Sequence, residues 1–325
     1  VAILILRLPS ISVLDLVGKD AAAILHNLTT NDIKSLVVDG IGVETFITNV
    51  KGKCIGHVLV FRNEEGYRLI GAAGQSETIV QQMDRYTIRE DATPQVLDDQ
   101  FDVYLVVNGN RRAALSYQQL DAGDIKLYAY GVPWFGSDEA RGGVLILTAK
   151  ANHLPWDTLA DALLHAGILQ TSDALAALDE TVVNAHFHAL RIAAAYPWFG
   201  TDFDDSHLPQ EVNREPETIS FKKGCYLGQE TIARLDALGQ VQKKLVQWSI
   251  ENLPEGCLPE VDTKLFADSE KPVGRLTSIA QERLPGQENG CTLALGFARR
   301  SHFDLGATAT GMVAEHPFVA KVERT

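Results

Sequence analysis

The sequence predicts an α+β chain followed by a smaller β-rich domain. Three observations predict it. Helical and strand patterns alternate through roughly the first 240 residues. From Leu245 onward the pattern changes to short strand-like runs broken by Gly and Pro. The length, 325 residues, is long for one core. The composition shift places a boundary near residue 240, giving units 1–240, with room for two subdomains, and 241–325.

The elements follow in order. Val1 to Leu6 reads as a strand, since Arg7 and Pro9 interrupt it too early for a signal-peptide core. Asp20 to Leu28 carries Ala22, Leu25 and Leu28 at helical spacing. Val43–Val50, Ile55–Phe61 and Tyr67–Ile70 read as strands, with Asn63-Glu64-Glu65-Gly66 as the hairpin turn between the last two. Gln75 to Tyr86 places Ile79, Met83 and Tyr86 on one helical face. Phe101–Val107 and Gly143–Thr148 read as strands, and Arg111–Leu120 as a helix between them. Trp156, Leu159 and Leu163 mark a helix with Pro155 at its first position. Ser172–Ile192 is read as mostly helical, with Val183, Phe187 and Leu190 on one face, ending at Tyr196-Pro197. Five short runs then suggest a small barrel or sandwich: Val246–Ile250, Thr263–Phe266, Gly274–Ile279, Thr292–Ala298 and Gly311–Ala314.

Composition narrows the function. A net charge of −13 argues against wholesale nucleic-acid binding. No apolar run reaches the length of a membrane span. Lys222-Lys223, Arg234 and Lys243-Lys244 read as a local basic region suited to a small anionic ligand. Cys54, Cys225, Cys257 and Cys291 are widely spaced, which disfavours a zinc ribbon or a local iron–sulfur motif and suits a reducing cytoplasm. His186 and His188 diverge on a helix, so no metal site is expected there.

The densest chemistry lies in Lys223-Gly224-Cys225-Tyr226-Leu227-Gly228-Gln229-Glu230. Gly224 is expected to turn the chain into a following helix, and Gly228 to permit close approach of backbone or ligand. A cysteine at a helix start beside Lys222 and Lys223 has two reasons for thiolate character, the helix dipole and the positive charge. Cys225 is therefore the candidate reactive group, with Lys223 assisting it. Cys54, Cys257 and Cys291 read as buried, unreactive thiols.

This octapeptide resembles the Lys-Gly-Cys-Tyr-x-Gly-Gln-Glu signature of the YgfZ family, relatives of the glycine-cleavage T-protein. Weaker similarities follow in the family's order: Leu25–Asp32, Arg191-Ile192 with Pro197–Gly200, Val273–Ser278, and Ala294–Phe297. The resemblance implies a T-protein-like folate-binding domain with a central cavity, followed by a C-terminal β-barrel. It implies tetrahydrofolate or a one-carbon derivative as ligand. It implies a role in iron–sulfur cluster assembly or repair, with client or assembly proteins as partners and tRNA modification affected indirectly. Direct nucleic-acid binding and membrane association are not expected. Tyr226, Gln229, Glu230, Arg234, Arg191 and Asn49 are the candidate ligand-binding residues.

Two departures bear on chemistry. Gly56 and His57 stand where the aminomethyltransferase branch carries an acidic pair, which argues against aminomethyl transfer. Ala193 stands where the T-protein pattern has a carboxylate for the pterin edge, leaving Glu230 or Asp202 as candidates for that contact. The alternatives are a folate-dependent one-carbon transferase and a non-catalytic folate sensor or scaffold. Whether Cys225 acts as iron ligand, redox thiol or nucleophile stays open.

Overall fold

The computed structural model describes residues 3–107, 113–135, 143–152, 154–169, 180–239, 241–282 and 291–325. Two five-stranded antiparallel sheets form the first part. One contains β1 (Leu4–Leu8), β7 (Phe101–Val107), β8 (Tyr117–Ala122), β9 (Ile125–Val132) and β10 (Gly143–Ala149), in the order β1-β7-β10-β9-β8. The other contains β2 (Ser12–Val17), β3 (Val43–Thr48), β4 (Cys54–Arg62), β5 (Gly66–Gly71) and β6 (Thr93–Val96), in the order β3-β4-β5-β2-β6. A shared core that includes Leu6, Val13, Phe61, Val103, Tyr130 and Leu145 joins the two sheets. Helices α1 (Ala21–Leu28) and α2 (Ser76–Tyr86) cover the second sheet through Leu25, Leu28, Ile79 and Met83. Helix α3 (Trp156–His165) covers the first through Leu159 and Leu163.

Helix α4 (Glu180–Ala193) leads out of this layered body. Residues 172–179 of the expected helix lie outside the described residues. Its end is closed by Ala195 in the left-handed region (φ 59°), with the Tyr196 N–H donating to the Arg191 carbonyl at 2.8 Å. An alanine there is strained by roughly 1 kcal/mol relative to glycine. Short helices α5 (Pro209–Val212) and α6 (Glu215–Thr218) precede α7 (Gln229–Leu238).

The chain ends in a closed six-stranded barrel of β11 (Lys243–Glu251), β12 (Lys264–Phe266), β13 (Pro272–Glu282), β14 (Cys291–Arg299), β15 (Thr308–Val313) and β16 (His316–Arg324). The barrel alternative therefore holds over the sandwich. Its interior is filled by Trp248, Leu265, Leu276, Phe318 and their neighbours. A separate apolar cluster of Phe46, Ile192, Phe203, Val212, Leu245, Leu295 and Phe297 welds barrel to body. Beside it, the Arg191 guanidinium, fully buried, donates to Asp202 Oδ2 at 2.6 Å and to Ser278 Oγ on the barrel at 2.8 Å.

Two expectations are corrected. The helix expected at Arg111–Leu120 is, where described, a turn over 113–116 followed by strand β8 from Tyr117. Tyr117–Ala122 pairs antiparallel with Tyr130–Ile125 around a turn at Gly123 (φ 65°), and pairing overrides helical composition. Strand β16 was not expected at all. Its turn from β15 uses Ala314 and Glu315, both left-handed (φ 46° and 66°), a hairpin without the Asn or Gly that normally signals one.

Candidate functional site

The Cys225 loop is fixed by its neighbours in sequence. Lys223 folds back beneath the C-terminal end of α1. Its ammonium donates to the carbonyls of His26 (2.6 Å), Thr29 (2.7 Å) and Asn31 (2.9 Å). They lie in the last turn of α1, at its C-cap and in the segment just beyond, and a cation is a donor suited to such a helix end. Burial pushes the ammonium down to about 7, with Lys34 adding to the shift and Asp32 opposing it. The three carbonyls favour the charged form. Lys223 is thus a structural clamp whose three donors are all committed, in place of the assisting role expected for it.

Further along, the Leu227 N–H donates to the Asn27 carbonyl (2.8 Å), and Thr48 Oγ1 donates to the Leu227 carbonyl (2.6 Å). Gly228, with φ +81°, lies against the β3–β4 turn. A Cβ there would meet the Asn49 carbonyl oxygen at 2.5 Å and Gly52 Cα at 2.6 Å, so no other residue fits. The sharp turn into α7 is made by Gly228, whereas Gly224 has open space around it. Helix α7 begins four residues after Cys225, so the thiol is not in its first turn. Cys225 is exposed, in contrast to fully buried Cys54, whose thiol burial pushes well up. Cys257 is half-buried, a correction to its expected burial, and the side chain of Cys291 lies outside the described residues.

The remaining candidate residues do not share one cavity. Tyr226 is buried against Ile219 and Ile232, with the Lys223 ammonium 5.0 Å from its ring centre, so its ring is used in packing. Asn49 shapes the β3–β4 turn, its Oδ1 accepting from the Lys51 and Lys53 N–H groups. Glu230 and Arg234 are exposed on α7, and Gln229 is half-buried at its start. Arg191 and Asp202 form the buried link to the barrel described above, which occupies the Asp202 carboxylate. None of the six candidate ligand residues lines the two cavities described next.

The centre of the layered body is filled. Between His57, Leu59, Ile70, Trp134, Tyr196, Trp198 and Phe199 only about 10 Å³ of space remains. Typical small-molecule sites hold roughly 300–1,000 Å³. The filling is ordered as a stack. Phe46 lies on His57 (centroids 4.8 Å), His57 on Tyr196 (5.7 Å), and the Arg214 guanidinium caps Tyr196 at 4.7 Å. Glu44 ties the stack together. Its carboxylate meets His57 Nε2 at 2.7 Å and accepts two bonds from Arg214, at 2.6 and 2.7 Å. Burial pushes the Glu44 carboxyl up, but Arg214 and His57 outweigh it and hold it at about 2. At the other departure, a Cβ on Gly56 would meet Ile79 Cδ1 at 2.8 Å and Gln75 Oε1 at 2.9 Å, so a side chain there would have to displace the tips of both. The space around His57, where the acidic pair would stand, is thus a packed aromatic and ionic core in this chain.

Open space lies instead on the barrel side of that core. A cavity of about 220 Å³ is bounded by Pro133, Phe135, Ala194, Ala195, Asn213, Arg214, Glu217, Gln247 and Arg324, among others. It starts one residue past Ala193, and Arg214 separates it from the stack. The sequence reading missed Glu44, Tyr196 and Arg214. Glu44 had a signal, a carboxylate in the apolar strand Val43–Thr48; Arg214 had none.

No protein-family model matches the chain. Curated proteins named tRNA-modifying protein YgfZ do. The one from Aliivibrio fischeri strain ES114 is 24% identical over 290 residues, covering 88% of this chain and 82% of that protein. The one from Escherichia fergusonii is 26% identical over 247 residues, covering 73% and 70%. The match to the one from A. fischeri strain MJ11, 26% over 227 residues, spans just under two thirds of that relative's length, 64%. Among solved structures, the glycine cleavage system aminomethyltransferase T from Bartonella henselae superposes with a TM-score of 0.75, covering 99% of this chain and 85% of that one at 12% identity. In sequence the chain is similar to the YgfZ proteins, and in fold to the T-protein, as the octapeptide implies.

Proposed function

We propose that this protein acts as a YgfZ-type factor, supporting tRNA modification through iron–sulfur cluster maintenance, with Cys225 as its reactive thiol. The carrying observation is the presentation of Cys225. It is exposed on a loop held by the Lys223 clamp, by Leu227 on both sides of its peptide, and by the Gly228 contact with the β3–β4 turn. Holding a reactive group on a rigid scaffold lowers the ordering cost of reaction. The test is complementation of a deletion strain, read as iron–sulfur enzyme activity and tRNA modification. Cys225→Ala is expected to lose function while expressing at normal level. Full restoration by that variant would remove the reading.

A folate-class ligand belongs, in this proposal, to the barrel-side cavity and not to the filled centre. Arg214 and Arg324 offer cations to a glutamyl carboxylate, and Asn213 and Gln247 line the same space. Calorimetric titration with tetrahydrofolate is expected to give binding that Ala194→Phe abolishes. Binding unaffected by Ala194→Phe would place the ligand elsewhere. Aminomethyl transfer is not part of the proposal, because Gly56 supplies no carboxylate and both Glu44 oxygens are engaged. Formation of methylene-tetrahydrofolate from an aminomethyl donor above background would overturn that exclusion.

A further inference from the structure

The chain is acidic, yet one face of the barrel is strongly basic. The pairing of β11 with β14 sets Lys243 directly opposite Arg299, and the pairing of β13 with β14 sets Arg275 opposite Phe297. Side chains two apart on a strand share a face, so Arg299 and Phe297 point the same way, together with Lys243 and Arg275. Arg300 follows at once, its N–H bonded to the Gln242 carbonyl at 3.0 Å. A cleft of about 450 Å³ is lined by Glu211, Gln242, Lys243, Arg299, Arg300 and Ser301. A second, of about 170 Å³, shares Lys243 and Arg299 with it and reaches Arg275.

Like charges directly opposite on neighbouring strands are destabilising, so stability does not account for Lys243 facing Arg299. Nearby acids neutralise only part of the group. Glu211 approaches Lys243 only to 3.9 Å, and the same carboxylate oxygen already accepts the Leu208 N–H at 2.9 Å. Asp204 is committed to Ser206 and His207. Arg275 pairs with exposed Asp262 at 2.5 Å. Among the described residues no carboxylate pairs with Arg299 or Arg300.

We propose that this face is a binding site for an oligophosphate, the phosphate chain of a small molecule. Guanidinium groups match phosphate oxygens in bidentate geometry, and three of them with an ammonium outnumber the two carboxylates, Glu211 and Asp262, that approach the group. The dimensions suit a small molecule. A nucleic-acid strand fits less well. The one aromatic ring at the site, Phe297, is 5% exposed. It is covered by His207 stacked at 4.6 Å and by the Lys243 ammonium at 4.8 Å, so no face is open for a base. The site is distinct from the Cys225 loop and from the barrel-side cavity, and does not rest on either.

The experiment is calorimetric titration of the full chain with inorganic tripolyphosphate at about 0.1 M salt, with sodium chloride of matched ionic strength as the blank. Saturable binding is expected, weakened about tenfold or more by R299A/R300A, and separately by Lys243→Ala, which leaves both arginines in place. Lys19→Ala, on a distant surface, is expected to change nothing. A nucleoside triphosphate binding equally well identifies the phosphate chain alone as the ligand; tighter binding adds the nucleoside to what is recognised. No saturable binding to the wild type, unchanged binding in both sets of variants, or binding of a single-stranded oligonucleotide in preference to both small molecules would overturn the proposal.

Discussion

The centre of the layered body and the loop carrying Cys225 handle polar groups in opposite ways. In the centre, Glu44, His57, Arg214 and Tyr196 satisfy one another inside a packed aromatic stack, with almost no free volume. At the loop, Lys223 is buried and fully bonded, so that a residue two positions later stands free at the surface. The contrast teaches that charge in this protein is spent on holding shape at both places. What differs is what the shape leaves over: nothing in the centre, an accessible thiol at the rim.

The largest expected effect tests the centre. Arg214→Ala leaves the Glu44 carboxylate buried without its guanidinium partner, with His57 and Tyr196 beside it. Loss of one partner from a buried pair typically costs about 3–5 kcal/mol, and denaturant unfolding is expected to register a loss of that size. A change below about 1 kcal/mol would mean that the stack holds without its ionic tie.

The loop comes next. Lys223→Ala removes the ammonium donor shared by the His26, Thr29 and Asn31 carbonyls, and is expected to cost about 2–4 kcal/mol. If Lys223 served only the thiol, the unfolding midpoint would not move while thiol reactivity would.

Acid separates the two regions further. The Glu44 carboxyl sits at about 2 in the folded protein against 4.5 for a free side chain. The unfolded chain therefore takes up this proton first as pH falls. Stability that is complete above about 4.5 drains away between 4.5 and 2. A pH series of unfolding midpoints is expected to fall over that window in the wild type, and less steeply in Glu44→Gln, whose midpoint at neutral pH is already lowered.

The smallest effect on stability belongs to the residue proposed to matter most for function. Cys225→Ser removes an exposed sulfur and is expected to change unfolding free energy by less than about 0.5 kcal/mol. A destabilisation of several kcal/mol would make Cys225 a packing residue and erase the contrast between rim and centre.

Much of this was legible in the sequence. Helices α1 and α2 follow from apolar spacing, and the close approach at Gly228 follows from a glycine in a crowded octapeptide. The hairpins β8–β9 and β15–β16 were not legible. The first carries polar residues of helical composition, and the second turns on alanine and glutamate. Cys225 was named from the octapeptide, but the work of Lys223 was not, because its acceptors come from residues 26–31, nearly two hundred positions away.

The sequence by itself determined the local elements with strong periodicity, the change to short strands after residue 240, and the absence of a side chain at Gly56. These depend on neighbours along the chain, which the sequence lists in order. Only the tertiary structure decided that the space around His57 is filled, that Glu44 meets Arg214 from 170 positions away, and that Lys243 and Arg299 stand opposite each other on neighbouring barrel strands. Such facts depend on which distant residues share a small volume, and burial assigns the cost or benefit of a charge only after the fold has chosen its company.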